Sequence, residues 1–265
     1  MPTAYADGLR IEYFDTGEGA GDGLPLVCLT GWCSSRARYD RLVPLAAKSR
    51  RVVSLDWRGH GQSERQHGDF GTDGQVNDAL AVVEAAALDS FAVASASHSG
   101  WVAIELRRRL GDRVAKIVHM DWLVVEPSEP YLALIRKLQS ESTWEEARDT
   151  LFDIWRGGLE NVDVEDAVAV MDRQGAEMWI RSGREIEAAF ARNGSPLRAL
   201  SALDVQPPVL HLYGQPRDPT YLERQQAFAA ANDWFEVRQV SARSHFSMIE
   251  TPDEVVAAIE PFLAG

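Results

Sequence analysis

Three side chains pose the chemical question: Ser97 in Ser95-Ala96-Ser97-His98-Ser99-Gly100-Trp101, Asp121 in Met120-Asp121-Trp122-Leu123, and His245 in Ser244-His245-Phe246. A hydroxyl, a carboxylate and an imidazole in this chain order can supply a polarised hydroxyl, a proton acceptor and an acid that orients it. Ser97 sits at the end of an apolar run and the start of a helix-like stretch, with Ser95 and Ser99 on either side. Small neighbours are what a sharp strand-to-helix elbow requires sterically. Serine stands at both places where glycine is commoner, so the motif by itself also describes an ordinary loop serine. An imidazole with an unperturbed pKa of about 6.5 is suited to take a proton near neutrality, and an ionised carboxylate beside it would fix its tautomer and favour the imidazolium. A second acid, Asp218 in Gly214-Gln215-Pro216-Arg217-Asp218, rivals Asp121 for that place.

These residues need a frame, and the apolar pattern provides one. Residues 9–14 alternate as in a half-buried strand, and the glycine-rich run over 17–23 reads as a turn into the next strand, which predicts an antiparallel opening hairpin. Short apolar runs follow at 24–30, 51–56, 90–95, 114–120, 208–213 and 235–240, separated by helix-like stretches at 38–48, 74–88, 101–110, 221–231 and 251–263. That alternation predicts a mostly parallel α/β sheet. Ser97 follows the run at 90–95, Asp121 the next run and His245 the last. Between about 125 and 206 the rhythm turns wholly helical, carries Trp144, Trp155 and Trp179, and is bounded by Pro127 and Pro207. The expectation is an inserted helical cap at 125–206 on an α/β core made of 1–124 and 207–265.

With 265 residues, 45% of them hydrophobic, the chain can bury one large core and needs no second unit. A net charge of −13 speaks against nucleic acid or an anionic membrane face as partner, since both require clustered Lys and Arg. Asp7, Arg10, Glu12 and Asp15 interrupt the first residues and leave no apolar signal core, and no stretch approaches a membrane span. The expected location is the cytoplasm. Cys28 and Cys33 form no Cys-x-x-Cys pair and read as free thiols. His60 and Arg58 read as loop organisers, His119 and His211 as strand residues, and none has metal-ligand spacing, so no metal is expected.

Three further segments join the elbow: Thr30-Gly31-Trp32-Cys33, Asp56-Trp57-Arg58-Gly59-His60-Gly61-Gln62-Ser63, and His245-Phe246-Ser247-Met248-Ile249-Glu250-Thr251-Pro252. Together they resemble the α/β-hydrolase fold over most of the chain. The resemblance implies an anion hole with one backbone N–H from the loop at Gly31 and Trp32 and another from His98, next after the elbow. Members that hydrolyse usually take their acid one strand later, at the place of Asp218, so the position of Asp121 points away from plain hydrolysis. Within the superfamily, the Gly100-Trp101 end of the elbow, Met120-Asp121-Trp122-Leu123, Leu151-Phe152-Asp153-Ile154-Trp155, Arg181-Ser182-Gly183-Arg184 and Arg192-Asn193-Gly194-Ser195-Pro196 resemble the cofactor-independent 3-hydroxy-4(1H)-quinolone 2,4-dioxygenases. Caps vary freely among generic members, so the cap segments carry most of the information.

The resemblance implies His245 as base, Asp121 as orienting acid, Ser97 as elbow serine, and Trp32 and Trp155 as pocket tryptophans. Trp179 and Ile186 are further candidates for the pocket wall, and His98 for substrate binding. It implies no cofactor, with O2 as co-substrate of a small quinolone that becomes its own reductant once its 3-hydroxyl is ionised. N-acylanthranilate and carbon monoxide would be the products, and Ser97 would hold substrate oxygens without attacking. Histidines that some members place after the tryptophan and before the elbow serine are here Ser34 and Ala96, which suggests room beside the ring for a longer C2 chain such as heptyl. Two other classes fit the same fold: a serine hydrolase of esters or amides using Ser97, Asp218 and His245, and a ligand-binding protein without turnover.

Overall fold

Along residues 26–29 successive side chains enter two different cores: Leu26 and Cys28 join one apolar cluster, Val27 and Leu29 the other. The same split recurs at Val52 against Val53, at Ala92 and Ala94 against Val93, and at Val118 against Ile117. A strand buried on both faces reads as a continuous apolar run, which is why these segments stood out in the sequence. Each fully buried Val or Leu contributes about 1.5–3 kcal/mol, so strands feeding both clusters anchor the molecule.

The computed structural model describes residues 1–17 and 21–265. Its strands are β1 (Thr3–Ala6), β2 (Leu9–Asp15), β3 (Gly23–Leu29), β4 (Arg50–Leu55), β5 (Phe91–Ala96), β6 (Val114–Met120), β7 (Val209–Tyr213) and β8 (Phe235–Gln239). They form one sheet in the order β1-β2-β4-β3-β5-β6-β7-β8. From β4 onward along that order every pairing is parallel, while β1–β2 and β2–β4 are antiparallel. Helices α1 (Val43–Ala46) and α11 (Pro252–Ala264) contribute to the core on one face, and α2 (Thr72–Ala85), α3 (Ser99–Leu110) and α9 (Pro219–Ala231) to the core on the other. The short α10 (Ser247–Glu250) follows the His245 loop. Five helices lie between β6 and β7 and make the inserted cap: α4 (Glu129–Leu138), α5 (Trp144–Arg156), α6 (Val162–Asp172), α7 (Ala176–Asn193) and α8 (Pro196–Ser201). Side-chain oxygens of Ser128, Asn161 and Ser195 cap α4, α6 and α8 by accepting from first-turn N–H groups. Among the described residues no helix is long and apolar enough to cross a membrane.

Two local expectations are corrected. The hairpin joins β1 to β2 through Asp7 and Gly8, whose φ values of 51° and 81° are those of a two-residue primed turn. The glycine-rich run does not make it: β2 pairs with β1 and β4, and residues 18–20 of that run lie outside the described residues. The helix expected over 38–48 is two pieces, a 3-10 turn at Arg36–Tyr39 and α1. Pro44 explains the break, because it lacks an N–H and its ring collides with the carbonyl a turn earlier, so it must start a helix instead of continuing one.

Candidate active site

Ser97 and Asp121 leave the sheet side by side. Ala96 and Met120 are register partners at the ends of β5 and β6, and the Ser97 N–H donates to the Met120 carbonyl at 3.0 Å. Both residues then turn through the left-handed region, with φ of 55° at Ser97 and 47° at Asp121. Two non-glycine residues held there at adjacent strand ends mark backbone strain of the kind that clusters at functional sites. The elbow serines do more than stay small. The Ser99 hydroxyl lies 2.9 Å from both Leu29 O and Ala96 O, either of which can take its one proton, and accepts from Ala96 N–H, while Ser95 Oγ lies 2.7 Å from His119 Nδ1. Gly100 is required sterically, since a Cβ there would sit 2.2 Å from the Trp122 ring, and Trp101 meets that ring edge-on at 5.0 Å. The Gly-Trp and Asp-Trp pairs of the sequence are thus one packing unit.

Across the elbow, the Trp32 loop is fixed by the segment that follows β4. His60 Nε2 accepts from the Cys33 N–H at 3.1 Å, and Trp57 Nε1 donates to Thr30 O at 2.7 Å. His60 and Arg58 therefore organise a loop, with Arg58 paired to buried Asp78 at 2.8 Å. Among the described hydrogen bonds none takes the backbone N–H of Trp32 or His98, which leaves both for an anion.

His245 lies in the loop after β8, tied to both parts of the molecule. Its N–H donates to the Trp155 carbonyl at 2.7 Å, and its own carbonyl accepts from Arg38 Nη2 at 3.0 Å. The half-buried ring lies nearly parallel to Trp155, 5.1 Å between centroids at 15°, and Trp155 in turn stacks on Trp179 at 6.4 Å. Burial, with the charge of Arg38 adding to it, pushes the imidazole down to about 3, so the ring is held neutral instead of favouring the imidazolium. Asp121 is buried, and its oxygens are already engaged: Oδ1 accepts from Gly214 N–H at 2.9 Å, and Oδ2 from the N–H and hydroxyl of Ser247 at 2.9 and 2.6 Å. It acts on the His245 segment through Ser247. Desolvation raises its carboxyl above the usual range, against the Ser247 and Gly214 donors and the nearby charge of Arg38. Asp218, the rival, is exposed and caps α9 by accepting from Thr220 N–H at 2.9 Å.

All of the expected site residues, Ser97, Asp121, His245, Trp32, His98, Trp155, Trp179 and Ile186, line one cavity of about 400 Å3. Asp218 reaches its rim as well. Ser34 and Ala96 are not part of the lining. Both are buried, Ala96 at the end of β5 and Ser34 in the loop after β3, and neither lines the cavity as expected. The apolar space lies toward the cap instead, against Tyr131, Ile135, Leu138, Leu151 and Phe190. Among the described residues no three His, Cys, Asp or Glu side chains gather as a metal-ligand set.

The chain matches the alpha/beta hydrolase family over residues 26–258. It is 34% identical over 259 residues to the 2-heptyl-3-hydroxy-4-quinolone dioxygenase AqdC2 of Rhodococcus erythropolis, a match covering 97% of this chain and 96% of AqdC2. Identity to the 1H-3-hydroxy-4-oxoquinoline 2,4-dioxygenase of Pseudomonas putida is 33% over 265 residues, 99% of each chain. A solved structure of an AqdC variant in complex with its substrate, concerned with recognition and ring cleavage of the Pseudomonas quinolone signal, superposes with a TM-score of 0.94 at 33% identity, covering 100% of this chain and 99% of the other. The chain belongs to the 3-hydroxy-4-quinolone dioxygenases of the alpha/beta hydrolase family.

In this quinolone dioxygenase three contributors escaped sequence reasoning. Arg38 lines the cavity although the sequence marked it only as the start of a helix-like stretch. Thr72 and Glu185 set the tautomer of His98: the Thr72 hydroxyl donates to Glu185 Oε2 at 3.1 Å and lies 3.1 Å from His98 Nε2. A carboxylate only accepts, so the single Thr72 proton goes to Glu185, and His98 must donate from Nε2–H. Its Nδ1 is then a bare acceptor, buried without a partner, and burial pushes the ring down to about 3. Glu185 sits on cap helix α7 and Thr72 on core helix α2, so this chain of bonds links cap, core and elbow.

Proposed function

We propose that this chain cleaves 2-alkyl-3-hydroxy-4(1H)-quinolones with O2 and no cofactor, giving an N-acylanthranilate and carbon monoxide, with 2-heptyl preferred over 2-methyl. The observation that carries the reading is the pairing of a buried Asp121 with the His245 segment, inside a near full-length match to quinolone dioxygenases, while Asp218 stays exposed as a helix cap. Neutral His245 takes the proton of the substrate 3-hydroxyl, and the N–H groups of Trp32 and His98 stabilise negative charge on the adjacent carbonyl oxygen. The resulting anion is electron-rich enough to reduce O2 by one electron, which removes the spin barrier to combination. The radicals join as a peroxide at C2, and its terminal oxygen attacks C4. Cleavage of C2–C3, C3–C4 and O–O then expels C3 with its own oxygen as CO, leaving one dioxygen atom on the amide carbon and the other on the new carboxylate. Ser97 holds substrate oxygens without forming a covalent bond.

Trp32, Trp155 and Trp179 line the cavity and offer aromatic wall to a flat bicycle. A C2 chain finds apolar wall at Tyr131, Ile135 and Phe190, where each buried methylene adds about 0.8 kcal/mol. Destroying such a signal would make the enzyme quorum-quenching. The test is carbon monoxide release from the 2-heptyl quinolone with no added metal or flavin, beside labelling by a serine-directed phosphonate. Release with a higher kcat/KM for heptyl than for methyl is expected. Labelling of Ser97 with turnover of an ester and none of the quinolone would transfer the assignment to a serine hydrolase.

A further inference from the structure

Arg38 is a buried cation at the wall of the catalytic cavity, and its partners do not neutralise it. Its Nη2 donates to a neutral group, the His245 carbonyl, at 3.0 Å, its guanidinium lies 4.6 Å from the Phe246 ring centroid, and its Nε is buried without a partner. Among the described residues it has no carboxylate in ion-pair contact, whereas Arg36 just before it bonds Asp56. A guanidinium stays charged in a protein, and burying one without a counter-charge is costly. Gly31, which carries one wall of the anion hole, lies beside it: a Cβ built there would be 3.5 Å from Arg38 Nη1.

The other charged or titratable groups facing the cavity are Asp121, Glu126, Asp218, Arg224, His98, His245, Tyr131 and Tyr221, and burial pushes the two tyrosine hydroxyls up. Glu126 and Arg224 pair with each other at 2.8 Å with both side chains largely exposed, and Asp218 is exposed too. Burial and the neighbouring charge of Arg38 keep His245 neutral, and burial does the same for His98. Asp121, held by Gly214 and Ser247, is the single buried counter-charge among the described residues lining the cavity. Asp121 offsets the charge of Arg38 only at a distance, since the two are not in ion-pair contact, so an anion bound beside the guanidinium would be its nearest counter-charge.

We propose that Arg38 is a positioning residue with two effects: it holds the His245 loop by the carbonyl, and its charge lowers the pH at which a bound 3-hydroxyquinolone ionises. The inference rests on the quinolone reading. It gives the reaction its anion through the field of the site, so that a weakly basic imidazole suffices as proton acceptor.

The test is an anaerobic absorbance titration of bound 2-heptyl-3-hydroxy-4(1H)-quinolone, which reports ionisation without turnover. Arg38→Lys and Arg38→Gln both keep a donor for the His245 carbonyl, and only the first keeps the charge. The Lys variant is expected to ionise the quinolone near the wild-type pH, and the Gln variant at a pH higher by about 1 to 3. Equal behaviour of the two variants overturns the assignment. A second measurement does not depend on their folding: in His245→Ala, which retains Arg38, the bound quinolone should still ionise at a lower pH than the free compound, and ionisation at or above the free value overturns the proposal. Failure of the wild-type protein to bind the quinolone would overturn this inference and the proposed function together, whereas binding and cleavage with no Arg38 effect would remove Arg38 alone.

Discussion

Asp121 and Ser247 share two hydrogen bonds at a single oxygen: Oδ2 accepts from the Ser247 N–H at 2.9 Å and from its hydroxyl at 2.6 Å. A buried carboxylate is thereby fastened to the segment that carries His245, and those donors offset part of the desolvation that raises its pKa. Ser247→Ala removes the hydroxyl, so the carboxyl should rise further and take up its proton at higher pH. The acid limb of kcat/KM should move upward, with a loss of about 1–3 kcal/mol of stability at neutral pH from the under-satisfied carboxylate. A pH–rate profile and a urea melt check both, and an unmoved acid limb would show that Asp121 ionisation does not matter to the rate.

His245 yields a prediction of opposite sense. A base works in its neutral form, and lowering its pKa moves the acid limb downward, so kcat/KM should stay level as pH falls through the ordinary histidine value of about 6.5. His245→Ala should lower kcat by roughly 10²- to 10⁴-fold with binding altered less. Steady-state kinetics over pH decide it; a half-maximal rate at the ordinary value would mean that the ring is not desolvated as described.

The two candidate acids should separate cleanly. Asp218→Ala loses a helix cap on α9, a cost of about 1 kcal/mol, and should leave turnover nearly intact. Asp121→Ala should slow proton abstraction in a folded protein. Thermal melts together with kcat for both variants test this, and greater damage to turnover from Asp218→Ala would favour the hydrolase arrangement.

Legibility from the sequence followed range of interaction. The strand at Val114–Met120 matches the apolar run because Val114, Ile117, Val118 and Met120 are fully buried and divide between the two cores, and Asp121 at its end came with it. The Asp7-Gly8 turn is a strong local hairpin signal beside a richer glycine run that makes no hairpin, and Pro44 breaks a helix that apolar spacing alone joins. Arg38, by contrast, gave no local sign of its place. Its partners His245 and Phe246 lie some two hundred positions away, and Thr72 meets Glu185 across the boundary between core and cap. Ser34 and Ala96 misled for the same reason, since their size is visible in the sequence and their absence from the cavity lining is not.

Ser97 should prove dispensable for bond making. Electron transfer from an ionised quinolone requires no acyl-enzyme, so Ser97→Ala should retain measurable ring cleavage with a raised KM. Intact-mass spectra during turnover should show no adduct on the wild-type chain. An adduct at Ser97, or abolished cleavage in a folded variant, would contradict its role as a hydrogen-bonding residue.

Turnover of 2-heptyl-3-hydroxy-4(1H)-quinolone under 18O2 in ordinary water tests the central claim most directly. The account predicts that the N-acylanthranilate carries two labelled oxygens, one in the amide and one in the carboxylate, and that the carbon monoxide carries none. Product oxygen drawn from water, or labelled carbon monoxide, would contradict oxygenolytic cleavage between C2 and C4.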